Sequence, residues 1–224
     1  MRFIGVENWP ASCRPVFFWP STLPIASFES MNKRILVYGF GPYGPFSDNI
    51  TARILKTLPR QSGLTKRVFP VRFHRQQFVN ALMRAKPDIV LGLGQSSRRR
   101  IEIESRGVNH RRANRSAKRR AIFAAEAKQL ATTFKIKAGR WARTSRNAGD
   151  YVCNYSIYVL LREIKQQKLA VRLAFVHIPH DYDRRKARKF IRRVLRQCEA
   201  VDSGGGSRGR KLFAGRSRRW NVER

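Results

Sequence analysis

Apolar and polar positions follow two different periods along the middle of the chain. Short apolar runs predict buried strands, and stretches whose apolar residues recur every three or four positions predict amphipathic helices. The predicted strands occupy residues 34–38, 66–73, 89–93, 101–108 and 171–176. The predicted helices occupy residues 49–58, 76–86, 151–165 and 184–198.

The order of these elements predicts a fold class. Strands that alternate with helices are typical of a mostly parallel sheet covered by helices, so we expect an α/β protein, a three-layer α/β/α sandwich with a mostly parallel central sheet. Residues 89–93 are apolar throughout and are therefore expected at the centre of the sheet. Residues 101–108 begin Ile-Glu-Ile-Glu, and this alternation predicts a strand with one buried face.

Neither end of the chain shows the pattern of a strand or of an amphipathic helix. Residues 1–30 contain prolines at positions 10, 15, 20 and 24 around an aromatic stretch, and we expect an unstructured N-terminal extension. Residues 203–224 begin Ser-Gly-Gly-Gly-Ser and continue as a basic segment, which predicts a disordered tail rich in glycine and arginine. The folded domain is therefore predicted to occupy residues 31–202.

The net charge is the unusual feature of the composition. The chain of 224 residues has 48 lysines and arginines against 14 aspartates and glutamates, a formal charge of +34. Such a charge binds polyanions non-specifically at low salt whatever the function of the protein, and we expect that binding here. The sequence contains neither a zinc-finger spacing nor an RNA-recognition aromatic signature. A basic scaffold that binds nucleic acid stays open as an alternative function.

The cysteines and the hydrophobic runs restrict the environment of the protein. Cys13, Cys153 and Cys198 are far apart, so they predict neither a disulfide framework nor a zinc site. We therefore expect no metal and a reducing, cytoplasmic location. Proline, arginine or lysine interrupts every hydrophobic stretch before it reaches the roughly 18 residues of a membrane span, so no membrane partner is expected.

Three residues at the junctions between elements suggest a reaction chemistry. Ligands bind at the carboxyl ends of parallel strands. Cys153 lies in the first turn of a predicted helix, where free backbone N–H groups and the helix dipole stabilise a thiolate. His177 ends the last predicted strand and could accept the thiol proton, and Glu104 could orient the imidazole. Core packing of Cys153 and His177, and an ion pair of Glu104 with a nearby arginine, stay open as alternatives.

Five sequence segments contain these residues or lie beside them. They are Gly-Phe-Gly-Pro-Tyr-Gly at 39–44, Pro-Asp-Ile-Val followed by Gly-Leu-Gly-Gln at 87–95, residues 101–109, Asn-Ala-Gly-Asp-Tyr-Val-Cys-Asn at 147–154, and Phe-Val-His-Ile-Pro at 175–179. Together and in this order they resemble the motifs of the pyroglutamyl peptidase I family, also called pyrrolidone-carboxylate peptidases, which are cysteine peptidases.

The resemblance implies an α/β sandwich that removes an N-terminal pyroglutamyl residue from peptides without a cofactor. It implies that Cys153 is the nucleophile, that His177 is the general base and then the acid, and that Glu104 orients His177. It further implies a set of substrate-binding residues: Phe40 and Tyr43 beside the lactam ring, Asn49 and Gln95 at its polar edge, and Tyr151 and Val152 in the pocket wall. The implied partners are pyroglutamyl peptides and, as in many family members, further copies of the chain in a homo-oligomer.

The chain also departs from the family pattern. Ser-Ser-Arg-Arg-Arg at 96–100 replaces a loop that is usually small and rich in glycine, and the position of a family arginine that supports the oxyanion falls on Asn114. Arg115 could substitute after a shift of one residue. These departures leave open a divergent or inactive family member that acts on another amide.

Overall fold

The folded region alternates strands and helices as the hydrophobic pattern predicts. The structure is a computed structural model, and it describes residues 33–114 and 116–200. The predicted extension at 1–30, the predicted tail at 203–224 and Arg115 lie outside the described residues.

The described elements have the following bounds. The strands are β1 (Ile35–Phe40), β2 (Leu64–Phe69), β3 (Ile89–Ser96), β4 (Ile101–Glu104), β5 (Arg106–Val108), β6 (Gln129–Ala131), β7 (Ala142–Ser145) and β8 (Arg172–Pro179). The helices are α1 (Ile50–Thr57), α2 (Arg75–Ala85), α3 (Val152–Gln166) and α4 (Arg184–Glu199), and a single 3₁₀ turn covers Gly139–Trp141.

Six strands form the central sheet in the order β2-β1-β3-β8-β4-β7. The pairs from β2 to β8 are parallel, β4 is antiparallel to β8, and β7 is parallel to β4. Helices α1 and α4 pack on one face of this sheet and α2 and α3 on the other. The predicted three-layer sandwich with a mostly parallel sheet is therefore confirmed.

Local sequence explains where the helices begin. The Asn49 side chain accepts a hydrogen bond from the Thr51 backbone N–H and caps α1, and Asp183 caps α4 through the Lys186 N–H. The buried stripe of α4 includes Phe190, and it packs into the core beneath an exposed basic face. Amphipathic periodicity and a polar cap are thus sufficient to define these helices.

The bounds of the predicted strands differ from those in the structure, and the first strand covers Ile35–Phe40 rather than 34–38. The second strand covers Leu64–Phe69 rather than 66–73, since Pro70 has no N–H to continue the ladder. The third continues to Ser96 and the last to Pro179, because β3 and β8 stay paired beyond the apolar run, so His177 lies within a strand rather than at its end. The short strands β6 and β7 were not predicted, because neither contains an apolar run.

The prediction of one half-buried strand at 101–108 is wrong. The segment divides at Ser105 into β4, in the central sheet, and β5, which pairs with β6 in a separate ribbon. All of β4 is buried, and its glutamates are tolerated because Glu102 pairs with Arg98 and Arg143 and Glu104 pairs with His177. The alternation of isoleucine and glutamate predicted an exposed face, because the sequence alone does not show the cations that pair with these glutamates.

A methyl group at position 92 should destabilise the fold. A Cβ on Gly92 would lie 2.3 Å from Phe175 Cδ2 and 2.6 Å from the Tyr38 hydroxyl, in the centre of the sheet. We expect Gly92→Ala to lower the free energy of unfolding by about 1–3 kcal/mol in urea denaturation. Gly41→Ala is the matched control, because its nearest contact would be 3.8 Å, and equal losses in the two variants would contradict the prediction.

Candidate active site

Cys153 and His177 meet above a glycine of the central strand. Gly94 of β3 pairs with His177 of β8 in the parallel register. A Cβ placed on Gly94 would lie 2.8 Å from Cys153 Sγ and 2.8 Å from His177 Cδ2. The thiol and the imidazole therefore approach each other in space that any larger residue would occupy.

Glu104 holds the other side of the imidazole. Its Oε1 lies 2.7 Å from His177 Nδ1, and neither side chain is substantially exposed. With Nδ1 bound to the carboxylate, Nε2 is the nitrogen left for the thiol. The three residues named from the sequence thus form one connected chain of thiol, imidazole and carboxylate.

The electrostatic setting favours a charged imidazole. Burial lowers the pKa of His177, but hydrogen bonding to Cys153, the negative charge of its thiolate, and the bond and charge of Glu104 outweigh burial and raise that pKa to about 9. The imidazolium is therefore the stable form at neutral pH. A protonated imidazole beside a sulfur atom is the arrangement that supports a thiolate nucleophile.

The start of α3 presents backbone donors to the same place. Cys153 is the second residue of the helix, after Val152, and the N-cap residue Tyr151 provides no side-chain cap. The first N–H groups of a helix have no partner within it, so they are available to a negative oxygen near the thiol. Gly149, with φ +79, gives the preceding turn a left-handed backbone that glycine adopts without strain.

A cavity of about 600 Å³ opens beside the thiol and the imidazole. All the substrate-binding residues implied by the resemblance line it. They are Phe40, Tyr43, Asn49, Gln95, Tyr151 and Val152. The ring of Tyr43 lies 5.3 Å from that of Phe46 and 6.4 Å from that of Tyr151, so aromatic faces make up much of one wall.

The two amide side chains of the cavity, Asn49 and Gln95, differ in which of their hydrogen-bonding groups have a partner. Asn49 donates to the Gly41 carbonyl and accepts from the N–H and hydroxyl of Thr51, so both ends of its amide are engaged. Gln95 Oε1 accepts from the Ile50 N–H, whereas its buried Nε2 completes no hydrogen bond among the described residues and has the Tyr43 hydroxyl as its polar neighbour. Gln95 therefore has a donor available to a ligand, and Asn49 holds the 39–44 turn against α1.

Arg98 is the residue of the site that sequence reasoning missed. Its guanidinium donates to the Asn147 carbonyl at 2.6 Å and to Ser145 Oγ at 3.2 Å, pairs with Glu102, and lies 3.9 Å from Glu104 Oε1. The arginine-rich loop therefore reaches the site through one side chain. The only signal in the sequence was that this loop departs from the family pattern.

Asn114 does not take part in this arrangement. Its side chain is exposed and accepts hydrogen bonds from Ser116 and Ala117 within a local turn. Within residues 33–114 and 116–200, no group of three or more histidine, cysteine, aspartate or glutamate side chains could hold a metal ion. Over the same residues, none of the helices has the length and hydropathy needed to span a bilayer.

An α/β sandwich with a cysteine, a histidine and a glutamate connected at the carboxyl ends of its strands has the arrangement of a cysteine hydrolase. Comparison with known proteins gives the family. Residues 33–184 match the profile of the pyroglutamyl peptidase family, and the chain belongs to that family.

Individual relatives agree with this assignment. The pyrrolidone-carboxylate peptidase of Brevibacillus brevis is 32% identical over 169 residues, which are 66% of this chain and 79% of the relative. The pyrrolidone carboxyl peptidase from Thermococcus litoralis has a TM-score of 0.67 at 23% identity and aligns over 73% of this chain and 92% of its own. Pyroglutamyl peptidase I from Bacillus amyloliquefaciens has a TM-score of 0.66 at 22% identity, over 77% and 97% of the two chains. The family resemblance and the predicted fold are both confirmed.

We expect the imidazole of His177 to stay protonated well above neutral pH. The pKa of His177 is about 9 in the folded protein, above the roughly 6.5 of free histidine, so protonation of this ring stabilises the folded state. That contribution to the free energy of unfolding is complete below about pH 6.5 and is lost as pH rises through about 9. An NMR pH titration should show the ring of His177 changing near pH 9. In Glu104→Gln the change should move to lower pH, since the carboxylate raises this pKa.

His110 supplies an internal reference for that titration. Burial and then the charge of Arg119 lower its pKa, and it has no contact with Glu104 in the described structure, so its titration should be the same in both proteins. A His177 titration that does not move in Glu104→Gln would contradict the assigned pair.

Proposed function

We propose that the protein is a cysteine exopeptidase that hydrolyses the amide bond after an N-terminal pyroglutamyl residue. The observation that carries the proposal is the contact of Cys153, His177 and Glu104 at one end of a cavity with aromatic walls and one free amide donor. Membership of the pyroglutamyl peptidase family supports the same reaction.

The reaction proceeds in two stages. The reaction starts with the thiol proton held by His177 as the imidazolium, and the Cys153 thiolate attacks the carbonyl carbon of the pyroglutamyl amide while the N–H groups at the start of α3 hold the oxyanion. His177 then gives its proton to the departing amine, which leaves a pyroglutamyl thioester on Cys153. Water, deprotonated by His177, attacks the thioester and releases pyroglutamate and the free thiol. Glu104 keeps the imidazole oriented in both stages.

The cavity suits a flat and uncharged ring. A lactam has no charge to bind, so recognition depends on aromatic faces and a few hydrogen bonds. Phe40 and Tyr43 contact the faces of the ring, and the free Nε2 of Gln95 donates to the lactam carbonyl. Asn49 acts at the polar edge by fixing the turn that carries these rings. Tyr151 and Val152 complete the wall on the side of the nucleophile.

A second candidate function is hydrolysis of a different blocked amide. The observation that favours it is the loop of Arg98, which brings a guanidinium into the cavity, together with the exposed position of Asn114. A panel of blocked aminoacyl amides distinguishes the two functions. Fastest cleavage of the pyroglutamyl amide supports the first, and fastest cleavage of another amide supports the second.

The partners and the location follow from the same proposal. The substrates are peptides with an N-terminal pyroglutamyl residue, and the cytoplasm is the proposed compartment because a nucleophilic Cys153 must stay reduced. The charge of +34 adds non-specific attraction for polyanions at low salt. Homo-oligomer formation stays a prediction from the family resemblance.

Replacing the nucleophile should abolish the reaction. We expect Cys153→Ala to lower the kcat for a chromogenic pyroglutamyl amide by at least about 10⁴-fold, measured at moderate salt with a reducing agent. Cys198→Ala is the matched control, because Cys198 is a buried free cysteine of α4 on the other face of the sheet. Circular dichroism is the check that both variants are folded. Activity in Cys153→Ala, or its loss in folded Cys198→Ala, would contradict the assignment.

Arg98 should act as a positioning residue. We expect Arg98→Gln to lower kcat by up to about 100-fold with a smaller change in KM, since the loop before Cys153 loses its anchor at Asn147. Arg99→Gln is the control, because Arg99 is exposed beside it in the same loop. Thermal melts separate this effect from loss of folding. Equal kcat values in the two variants would show that Arg98 has no such role.

A further inference from the structure

The outer face of α4 carries a continuous band of positive charge. Every exposed residue of the helix from Arg184 to Arg196 is arginine or lysine. These side chains extend over roughly 20 Å, and successive turns present cations about 5–6 Å apart. We call this set of side chains the α4 band.

The α4 band concentrates cations without ion pairs on one face of a helix. Arginines such as Arg34, Arg53 and Arg119 form ion pairs with carboxylates. No side chain of the α4 band forms an ion pair with a carboxylate in the described part of the chain. Neighbouring cations without counter-charges repel one another, and an anionic polymer bound along the row would relieve that repulsion.

A groove of about 500 Å³ lies beside the C-terminal half of α4. Phe190 and Trp141 give it apolar surface, and Lys189, Arg193 and Arg196 surround it with charge. The half-buried ring of Trp141 also lies beneath the guanidinium of Arg140, with the carbon of that group 5.7 Å from the ring centroid. An aromatic side chain among cations therefore lines the groove.

We propose that the α4 band and the Trp141 groove bind single-stranded nucleic acid. The phosphates lie along the α4 band, and an unstacked base enters the groove and stacks on Trp141. Proteins that bind single strands combine these two elements, a cationic track for the backbone and aromatic rings for the bases. A duplex keeps its bases stacked and paired, so it cannot fill the groove.

The packing of α4 argues against a membrane surface as the partner. Helices that lie on a bilayer insert an apolar face. The apolar face of α4, which includes Ile191 and Val194, is buried against the sheet and is not available to lipid. Charge alone would attract an anionic bilayer, but nothing on this helix would enter it.

The Trp141 groove is separate from the candidate active site, whereas the α4 band begins at Arg184, which lines a cavity together with Gln95 near the carboxyl ends of the strands. Glu199, at the end of α4, accepts a hydrogen bond from Gln61, which precedes β2, and Gln197 contacts Lys137. The groove therefore lies towards the amino ends of the parallel strands, whereas Cys153 and His177 lie at their carboxyl ends. The inference does not rest on the proposed peptidase function.

Fluorescence anisotropy of the full chain with a labelled 12-nucleotide single strand tests the proposal. We expect the triple variant Lys189→Gln, Arg193→Gln, Arg196→Gln to weaken binding at least about tenfold and to reduce the slope of log Kd against log salt by about 2. The control triple, Arg84→Gln, Lys118→Gln, Lys165→Gln, removes the same charge from other exposed positions and should change Kd by less than about twofold. Equal weakening in both triples would overturn the proposal.

Two variants of Trp141 test the base-binding part. Trp141→Leu should weaken single-strand binding about fivefold or more, and Trp141→Phe should retain most of it, because stacking needs a ring. Both should bind a duplex of the same sequence as the unchanged protein does. Loss of single-strand binding in Trp141→Phe as well as Trp141→Leu, with both variants folded, would contradict stacking.

Competition with other polyanions tests whether the α4 band prefers a single strand. If anionic phospholipid vesicles or polyglutamate compete for the α4 band as strongly as the single strand at equal charge, the surface is a general anion attractor and the proposal fails. Hydrolysis of a pyroglutamyl amide should be unchanged in all these variants. If the protein has no peptidase activity but still binds the single strand in this way, the proposed function fails and the inference is still supported.

Discussion

The buried carboxylate of Glu104 is the constraint on which the site depends. A fully buried charge is stable only when it is paired and hydrogen-bonded, and His177 is the partner of Glu104 Oε1 at 2.7 Å, while Oε2 has no hydrogen-bond partner among the described residues. The antiparallel pairing of β4 with β8 sets Glu102 opposite His177 and Glu104 on the diagonal, so both carboxylates lie on the face that α3 covers. Arg98 and Arg143 pair with Glu102, and Arg98 also lies 3.9 Å from the Glu104 Oε1 that His177 binds.

The distribution of carboxylates explains how so basic a chain keeps an acidic group at its centre. Those described in ion pairs hold loops and strands together, as Asp150 does with Arg112 and Arg119, or lie in the core. Within residues 33–114 and 116–200, the cations of α4 occupy exposed positions, where they do not disturb the core. No side chain of the α4 band contacts Cys153, His177 or Glu104 in the described structure, so these cations take no direct part in the chain of thiol, imidazole and carboxylate.

Local periodicity predicted the four helices and the central strands because their apolar residues recur at fixed spacing. It could not predict the burial of Glu102 and Glu104, since the partners that neutralise them come from Arg98, Arg143 and His177 on other elements. The ordered motifs identified the thiol, imidazole and carboxylate. They gave no role to Arg98, because its contacts with Asn147 and Ser145 exist only after the sheet has formed.

Two glycines connect the stability of the sheet to the assembly of the site. Glycine usually weakens a strand interior, and here Gly92 and Gly94 occupy a strand that is buried at every position except its last. The absent side chain at Gly92 admits the ring of Phe175, whose centroid lies 5.0 Å from that of His177, and the absent side chain at Gly94 admits His177 and Cys153 themselves. A sheet packed with larger residues at both positions would gain apolar contacts and would separate the thiol from the imidazole. The composition of β3 is therefore set by the site it supports as well as by the core.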